Sequence, residues 1–492
     1  MKKTNQKLLA LIILTVFSLV ISVNDGIGNN QDELFKIKDK FSPSYRVFSE
    51  YPSHTNIPRT NFTGTYNVTL FTNPDNADEV IFRYLNATES SVYVSMYTIS
   101  RPDFNRTLID LKKANPSIDI QVLISYRRVG STENADTAGA AKSLDDEGIP
   151  VYTSTQDDDK VDGYYHAKYW IIDGKHVFVY SGNWSPRSVS PPLKGDDDSY
   201  TSSEGNRDMG IAVHDAPDIA SFFKTEVWDE DVAVANPWTP TGIKTNTKLK
   251  ASSNPSLKIN IPSLYYPTFD ALNIKEKMTL SPMFTPDNAL DIHKWWIDRA
   301  NDTIDIQNQY ITQFDDGVSW NNDPSPLVRS LIEAKKRGLE IRVQVNEDSD
   351  SDNVTAYFLS KGIEVKWMGN SKSSTNGWLS DTHNKLVIID EKVTLLSSIN
   401  FGENAFTNNR EAGFVIQSAT VADYYGLIFQ ADWIDGEIPP YSIYTKASTT
   451  EEPSSTSEKS SSTSTGLFET PFSLSAMLIV IGFLPIIRRR LK

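Results

Sequence analysis

Apolar residues in this chain recur in short β-branched runs and in helix-spaced stretches, and the order of the two kinds repeats. Val92 to Tyr97 and Ile118 to Ile124 read as strands. Ala140 to Glu147 then reads as an amphipathic helix that stops at Gly148, ahead of Ile149-Pro-Val151. A glycine at a helix exit supplies the left-handed turn from which the next strand starts. The same succession returns as Ile304 to Tyr310, Leu339 to Val345, Val354 to Lys361 with Gly362, and Ile363-Glu-Val365. Each copy ends on a short strand, Asp208 to Val213 or Glu411 to Ile416, followed by a helix carrying Trp228 or Trp433. Strands alternating with helices predict an α/β fold, a sheet covered by helices on both faces. Two copies of one unit are therefore expected, over 61–235 and 261–445. They are joined by a Pro-, Thr-, Ser- and Asn-rich linker over 236–260 and preceded by an N-terminal extension over 25–60.

The ends of the chain follow a different pattern. Lys2, Lys3 and Lys7 precede an apolar run from Leu8 to about Val23, the order of a secretory signal peptide, which is expected over 1–24. Residues 446–466 are mostly Ser, Thr, Glu, Lys and Pro, too polar to offset chain entropy by burial, and read as a disordered tether. The tether leads to an apolar segment over 467–487 and a basic tail over 488–492, which the positive-inside tendency assigns to the cytoplasmic side. The apolar segment is read either as a single C-terminal transmembrane anchor or as a sorting signal removed after export. The globular part is expected on the extracytoplasmic face of the membrane.

Composition narrows the chemistry. The 492 residues include no cysteine, which removes thiol nucleophiles, thiolate metal sites and disulfides together. Catalysis, if present, must use His, carboxylates, hydroxyls or Lys. With 63 Asp+Glu against 48 Lys+Arg and a formal charge of -15, no bulk attraction to polyanions is built in, although a local basic pocket is allowed.

The candidate chemistry lies in the repeat. His166-Ala-Lys168 is followed by Asp173 and Asn183, and His383-Asn-Lys385 by Asp390 and Asn400, at the same offsets both times. For two of only six histidines, the chance of such a match is roughly one in a million at average residue usage. A purely structural repeat would keep its apolar positions and vary its polar ones, whereas here the polar ones are kept. On a strand, residues i and i+2 point to the same face, so each His and its Lys can share one ligand. Asp173 and Asp390 fall at strand ends, where a carboxylate binds turn amides, and are read as structural.

A repeat folded about a pseudo-twofold axis brings two His, two Lys and two Asn to one seam, a set suited to a phosphodiester. Lys168, Lys385, Asn183 and Asn400 can donate to the non-bridging oxygens. One imidazole can attack phosphorus in line while the other protonates the leaving oxygen. Asp208 and Glu411, in equivalent places, are candidates to accept from each imidazole's other nitrogen. No metal or cofactor is called for, because the lysines supply positive charge. His54, His176, His214 and His293 have no repeat partners and read as surface or core residues. The acidic runs Asp157 to Asp159 and Asp196 to Asp198 read as solvated loops rather than a calcium site.

These residues closely resemble the phospholipase D superfamily, marked by a duplicated His-x-Lys-x4-Asp motif with a following Ser-x-Asn, here Ser181-Gly-Asn183 and Ser398-Ile-Asn400. The resemblance covers about residues 60 to 440. It implies two homologous α/β/α sandwich halves packed about a pseudo-twofold, with one shared active site. It also implies His166 as nucleophile, His383 as general acid, Lys168, Lys385, Asn183 and Asn400 on the phosphate, and Ser181 and Ser398 beside the substrate. The sequence departs from the family pattern at Tyr180 and Ser397, where Gly is usual, and at Asp208, where Glu is common, so an altered pocket is expected beside the first motif. The implied activity is a phospholipase D-type phosphodiesterase that hydrolyses or transfers the phosphatidyl group through a phosphohistidine. The alternatives are an extracytoplasmic nuclease acting on single strands, disfavoured by the acidic balance, and a catalytically silent lipid-binding surface protein. A monomer with an internal pseudo-dimer is expected.

Overall fold

The computed structural model describes residues 57–125, 135–153, 165–191, 205–239, 269–314, 319–347, 353–368, 379–436 and 438. In chain order the strands are β1 (Phe62–Asn73), β2 (Ser91–Met96), β3 (Asp119–Ile124), β4 (Val151–Thr153), β5 (Lys168–Ile172), β6 (His176–Tyr180), β7 (Gly205–His214), β8 (Asn236–Pro237), β9 (Leu272–Thr285), β10 (Thr303–Asn308), β11 (Glu340–Asn346), β12 (Glu364–Met368), β13 (Leu379–Thr382), β14 (Lys385–Ile389), β15 (Val393–Ser397) and β16 (Glu411–Gln417). The helices are α1 (Ala77–Asn86), α2 (Pro102–Ala114), α3 (Ala135–Asp146), α4 (Pro217–Phe222), α5 (Asp229–Val234), α6 (Ala289–Arg299), α7 (Pro326–Lys336), α8 (Val354–Ser360), α9 (Glu403–Thr407) and α10 (Ala419–Asp435), with a π-helical turn, Phe223–Trp228, joining α4 to α5.

The repeat expected from the sequence is visible in the topology. Parallel β2, β3 and β4 in the first half correspond to β10, β11 and β12 in the second. The antiparallel strands β5, β6 and β7 correspond to β14, β15 and β16. Gly148 and Gly362, beyond α3 and α8, take φ of +73° and +76°, the left-handed exit that the two helix stops require.

The halves are not two separate sheets. Strands β1 and β9 pair antiparallel from Phe62↔Leu280 to Leu70↔Leu272, so both halves share one continuous sheet. These two strands are long enough to serve both sides: β1 continues past β9 to pair with β7, and β9 pairs with β16. Three apolar cores follow. In the first half α1 and α2 cover one face with Val80, Ile81, Phe104 and Leu108. In the second half α6, α7 and α8 do so with Ile297, Leu327, Leu331 and Phe358. The third core draws on both halves, packing Phe223 and Trp228 with Tyr425 and Ile428 over strand residues such as Ile171, Ile211, Leu396 and Phe414.

Two expected boundaries move. Asn236 and Pro237, read as linker, pair with β4 at the edge of the first half's sheet, and Trp238 is buried in that half's core. Ile57, read as part of the extension, is buried in the shared core, and its N–H donates to Asp287 of the second half. The linker from 240, the acidic runs, His54 and the apolar segments at 8–23 and 467–487 lie outside the described residues. Among the described residues no helix is long and apolar enough to cross a membrane.

Candidate active site

The chain crosses between halves just ahead of each motif. Strand β13, which leads into His383, pairs in parallel with β7 of the first half, Thr382 opposite Arg207. Tyr165, ahead of His166, bridges to Arg410 of the second half. The crossings end on main-chain bonds: His383 N donates to the Arg207 carbonyl at 3.0 Å, and His166 N to the Arg410 carbonyl at 2.8 Å. The residue after each arginine is the candidate acid. Asp208 Oδ1 therefore meets His383 Nδ1 at 3.0 Å, and both Glu411 oxygens lie 2.8 Å from His166 Nδ1. Each imidazole is held by a carboxylate of the opposite half. An ionised carboxylate only accepts, so Nδ1 carries the proton and Nε2 is the nitrogen left for chemistry.

The lysines sit one strand repeat further on. Lys168 Nζ donates to the His166 carbonyl at 2.6 Å and lies 3.1 Å from His166 Nδ1. Lys385 Nζ donates to the His383 carbonyl and to Gln309 Oε1 at 3.3 Å. The four side chains form one electrostatic group, in which Lys385 acts on His166 and Lys168 on His383.

Burial, reinforced by Lys168, holds His166 down at about 4 against the pull of Glu411. Burial and Lys385 likewise lower His383 against Asp208. Burial also lowers Lys385, to about 8, although Asp208 and Glu411 oppose it. Glu411 would be raised by burial, but His166, Lys168 and the Ser398 hydroxyl keep it below the ordinary carboxylate range. The resting site thus pairs two neutral imidazoles with ionised Glu411. An entering phosphodiester anion adds negative charge and raises the proton affinity of both rings.

The remaining sequence candidates separate into groups bonded within the protein and two amides whose oxygens are not. Ser181 and Ser398, expected beside substrate, instead stand behind the acids. Ser181 Oγ donates to Asp208 at 2.8 Å and accepts from Met209 N, while Ser398 Oγ donates to Glu411 at 2.6 Å and accepts from Ala412 N. Both are fully buried, and a hydroxyl saturated in this way has its role fixed by the carboxylate. Asn183 and Asn400 follow two residues later, each with a buried Oδ1 that no group among the described residues donates to. Asp173 and Asp390 sit in the left-handed turns after β5 and β14, at φ of 53° and 52°. Asp173 accepts from the N–H groups of Glu89, Ser90 and Ser91, and Asp390 from those of Asn301, Asp302 and Thr303.

Of the unpaired histidines, His293 is buried in α6 with Nδ1 on the Ala289 carbonyl, and His214 bonds Thr69 and Tyr84 near His176. Tyr180 is buried beside Asp208, and its hydroxyl donates to the Ser188 carbonyl. It fits because residue 182 is Gly: a Cβ there would lie 2.6 Å from the Tyr180 ring and 2.7 Å from the Asp208 carboxyl carbon.

Several site residues were not singled out in the sequence. Tyr97 packs edge-on to His166, ring centroids 4.6 Å apart, and Tyr310 bonds Asn400 near Glu411. The arginines before the acids are buried and span the halves. Arg207 binds Asp75 of its own half and Asp432 of the other, and Arg410 binds Asp287 and Asp231 likewise. Their signal was present as two repeated strings, Pro74-Asp-Asn76 with Pro286-Asp-Asn288, and Arg-acid at 207–208 and 410–411.

Comparison with known proteins agrees with this architecture. A family model described as cardiolipin synthase, PLD-like domain, matches residues 81–227 and 295–433, more than half of the chain. The chain belongs to this family and so to the phospholipase D superfamily. A Dictyostelium discoideum protein named phospholipase D Y is 28% identical over 154 residues, covering 29% of this chain and 34% of that protein. An uncharacterized Helicobacter pylori protein is 26% identical over 183 residues, 33% and 35% of the two lengths. The chain thus spans about a third of the length of the curated relatives it matches. The crystal structure of phosphatidylserine synthase from Haemophilus influenzae Rd KW20 shares the fold, with a TM-score of 0.52 at 13% identity over 74% of this chain and 86% of that one.

Proposed function

We propose that this protein is a phospholipase D-type phosphodiesterase that hydrolyses or transfers the phosphatidyl group of phospholipids through a phosphohistidine on His166. The observation that carries the reading is the reciprocal pairing, through Nδ1, of His166 with Glu411 and His383 with Asp208, which leaves both Nε2 atoms for chemistry while Lys168 and Lys385 act electrostatically on both rings. Lys168, Lys385 and the Asn183 and Asn400 amides hold the non-bridging oxygens. With the phosphodiester anion bound, His383 takes up a proton on Nε2 and becomes an imidazolium. His166 Nε2 then attacks phosphorus as the bond to the leaving oxygen breaks, and the His383 imidazolium gives that oxygen its Nε2 proton. Neutral His383 then takes a proton from water or an alcohol, whose oxygen displaces His166 from phosphorus and restores the free site.

A lipid substrate is supported by the names of the matching family and of the Dictyostelium relative, and by a net charge of -15, which disfavours tracking a nucleic-acid backbone. The site at an extracytoplasmic membrane surface rests on the two apolar segments of the sequence.

The test incubates the full chain with phosphatidylcholine vesicles and ethanol, and in parallel with labelled single-stranded DNA. The expected result is choline release and phosphatidylethanol, intact DNA, an EDTA-insensitive rate, and no turnover by a folded His166→Asn variant. DNA cleavage with inert lipid would replace this reading with a nuclease. Vesicle binding without turnover would replace it with a silent lipid-binding protein.

A further inference from the structure

The two motifs differ behind the histidines. In the second, the middle residue is Asn384, fully buried, on the strand face opposite His383 and Lys385. Its Nδ2 donates to Gln307 Oε1 at 2.9 Å. Gln307 Nε2 in turn donates to Asp432 Oδ2 at 2.9 Å and to Gln344 Oε1 at 2.8 Å. Asp432 receives Arg207 through Nε at 2.9 Å and Nη2 at 3.0 Å, and the Arg207 carbonyl accepts the His383 N–H at 3.0 Å. The chain of bonds closes on itself: His383 main chain, Arg207, Asp432, Gln307, Asn384, and back to His383 through one peptide. Arg207 is further fixed by Asp75 and the Asn73 carbonyl. In the first half the positions of Asn384, Gln307 and Gln344 are taken by Ala167, Ser95 and Leu123. Ala and Leu side chains cannot continue such a chain. There, Tyr165 donates to the Asp231 main chain instead.

We infer that this buried ring is a positioning device for His383, and that it makes one of two otherwise equivalent histidines the proton donor. The inference rests on the assignment of His383 as general acid made above. Asn384 Oδ1 is the one side-chain polar atom of the ring that no described group donates to; the others are paired, and a buried network of this kind holds its members in few arrangements. Here the network fixes the β7 peptide carrying both Asp208 and the carbonyl that holds the His383 main chain. Proton donation to an oxygen at hydrogen-bond range depends on angle as well as distance, so a displaced ring slows protonation before it affects anything else. Asn384, Gln307, Asp432 and Arg207 are positioning residues that act through His383.

The experiment compares two phosphatidyl esters that differ only in leaving group, choline and p-nitrophenol, in the first turnover of the full chain after rapid mixing. An alkoxide needs protonation to leave; p-nitrophenolate does not. Asn384→Ala places at 384 the residue that the first half carries at 167 and is the variant of choice; Asp432→Asn is the second. Each is expected to slow choline release about 10- to 100-fold, the scale set by loss of an orienting partner, with p-nitrophenolate release changed less than threefold. His383→Ala is expected to show the same selectivity more strongly, and Asp231→Asn, on the His166 side, to slow both esters alike. Equal losses on both esters for Asn384→Ala, with His383→Ala selective, would overturn the ring as a positioning device. Equal losses for His383→Ala itself would overturn the general-acid assignment, and the inference with it.

Discussion

Replacing Glu411 by Gln tests how the site makes His166 a nucleophile. Both carboxylate oxygens of Glu411 lie 2.8 Å from His166 Nδ1, and each also accepts a buried donor, Ser398 Oγ at 2.6 Å and Asn409 Nδ2 at 3.0 Å. An amide at 411 has one acceptor where three donors converge. Its NH2 must face Ser398, Asn409 or His166, and the arrangement that keeps Asn409 bonded turns the NH2 toward the hydroxyl and the imidazole. His166 then relaxes to the tautomer with the proton on Nε2, the atom that has to attack phosphorus. A hydrogen bond to a charged group contributes about 1.5–3 kcal/mol, and at about 1.4 kcal/mol per tenfold its loss lowers kcat roughly 10- to 150-fold. KM should change little, because the lysines remain. Glu411 is also the chief group raising the proton affinity of His166. Its removal therefore shifts the acid limb of the kcat/KM profile to lower pH even as the plateau falls. The assay is ester turnover from pH 4 to 9, with a melting curve to show that the variant is folded. A kcat within threefold of wild type, or an acid limb that moves upward, would refute the reasoning.

Two further outcomes follow from the geometry. Lys385, lowered to about 8 by burial, is cationic below that pH and neutral above it, so kcat/KM should decline above about pH 8. Lys385→Met should be slow throughout and lack that limb; a variant that retains it would assign the limb elsewhere. Asp173 and Asp390 are held below the ordinary carboxylate value because their turn N–H bonds outweigh the opposing effect of burial. A carboxyl with a depressed folded-state pKa contributes stability above its unfolded pKa and loses it as the pH falls through the folded value. Asp173→Ala should therefore lower stability by about 1 kcal/mol at neutral pH, with the difference shrinking in acid and activity per folded molecule unchanged. Denaturant titration at pH 7 and pH 3 checks this, and an equal deficit at both would contradict it.

The duplicated His-x-Lys strings, their acids and the succession of strands and helices were legible because each is a local pattern repeated at matching offsets. The crossed pairing was not. Repeat symmetry makes Asp208 and Glu411 equivalent but cannot say which histidine each serves, since that depends on β13 and Tyr165 reaching into the opposite half. The continuous sheet was equally hidden, because β1 alternates exposed and half-buried positions over Phe62–Asn67 where it meets β9, a pattern that also fits an edge strand. The bonds of Ser181 and Ser398 to the acids were hidden for a related reason: a hydroxyl two residues ahead of Asn183 or Asn400 can face the cleft or the acid behind it, and only the β6–β7 and β15–β16 pairing decides. Arg207 and Arg410 were visible as residues before the acids, but their buried bonds to Asp432 and Asp231 span the two halves and leave no mark in local spacing.

The most direct test of the account is to trap the covalent intermediate. The full chain is mixed with phosphatidylcholine, quenched in base within one turnover because the N–P bond is acid-labile, and mapped by peptide mass. The account predicts a phosphatidyl adduct on His166 and none on His383, with the adduct building up in a His383→Ala variant supplied with the p-nitrophenyl ester. An adduct on His383, or first-turnover release with no adduct on either histidine, would contradict it.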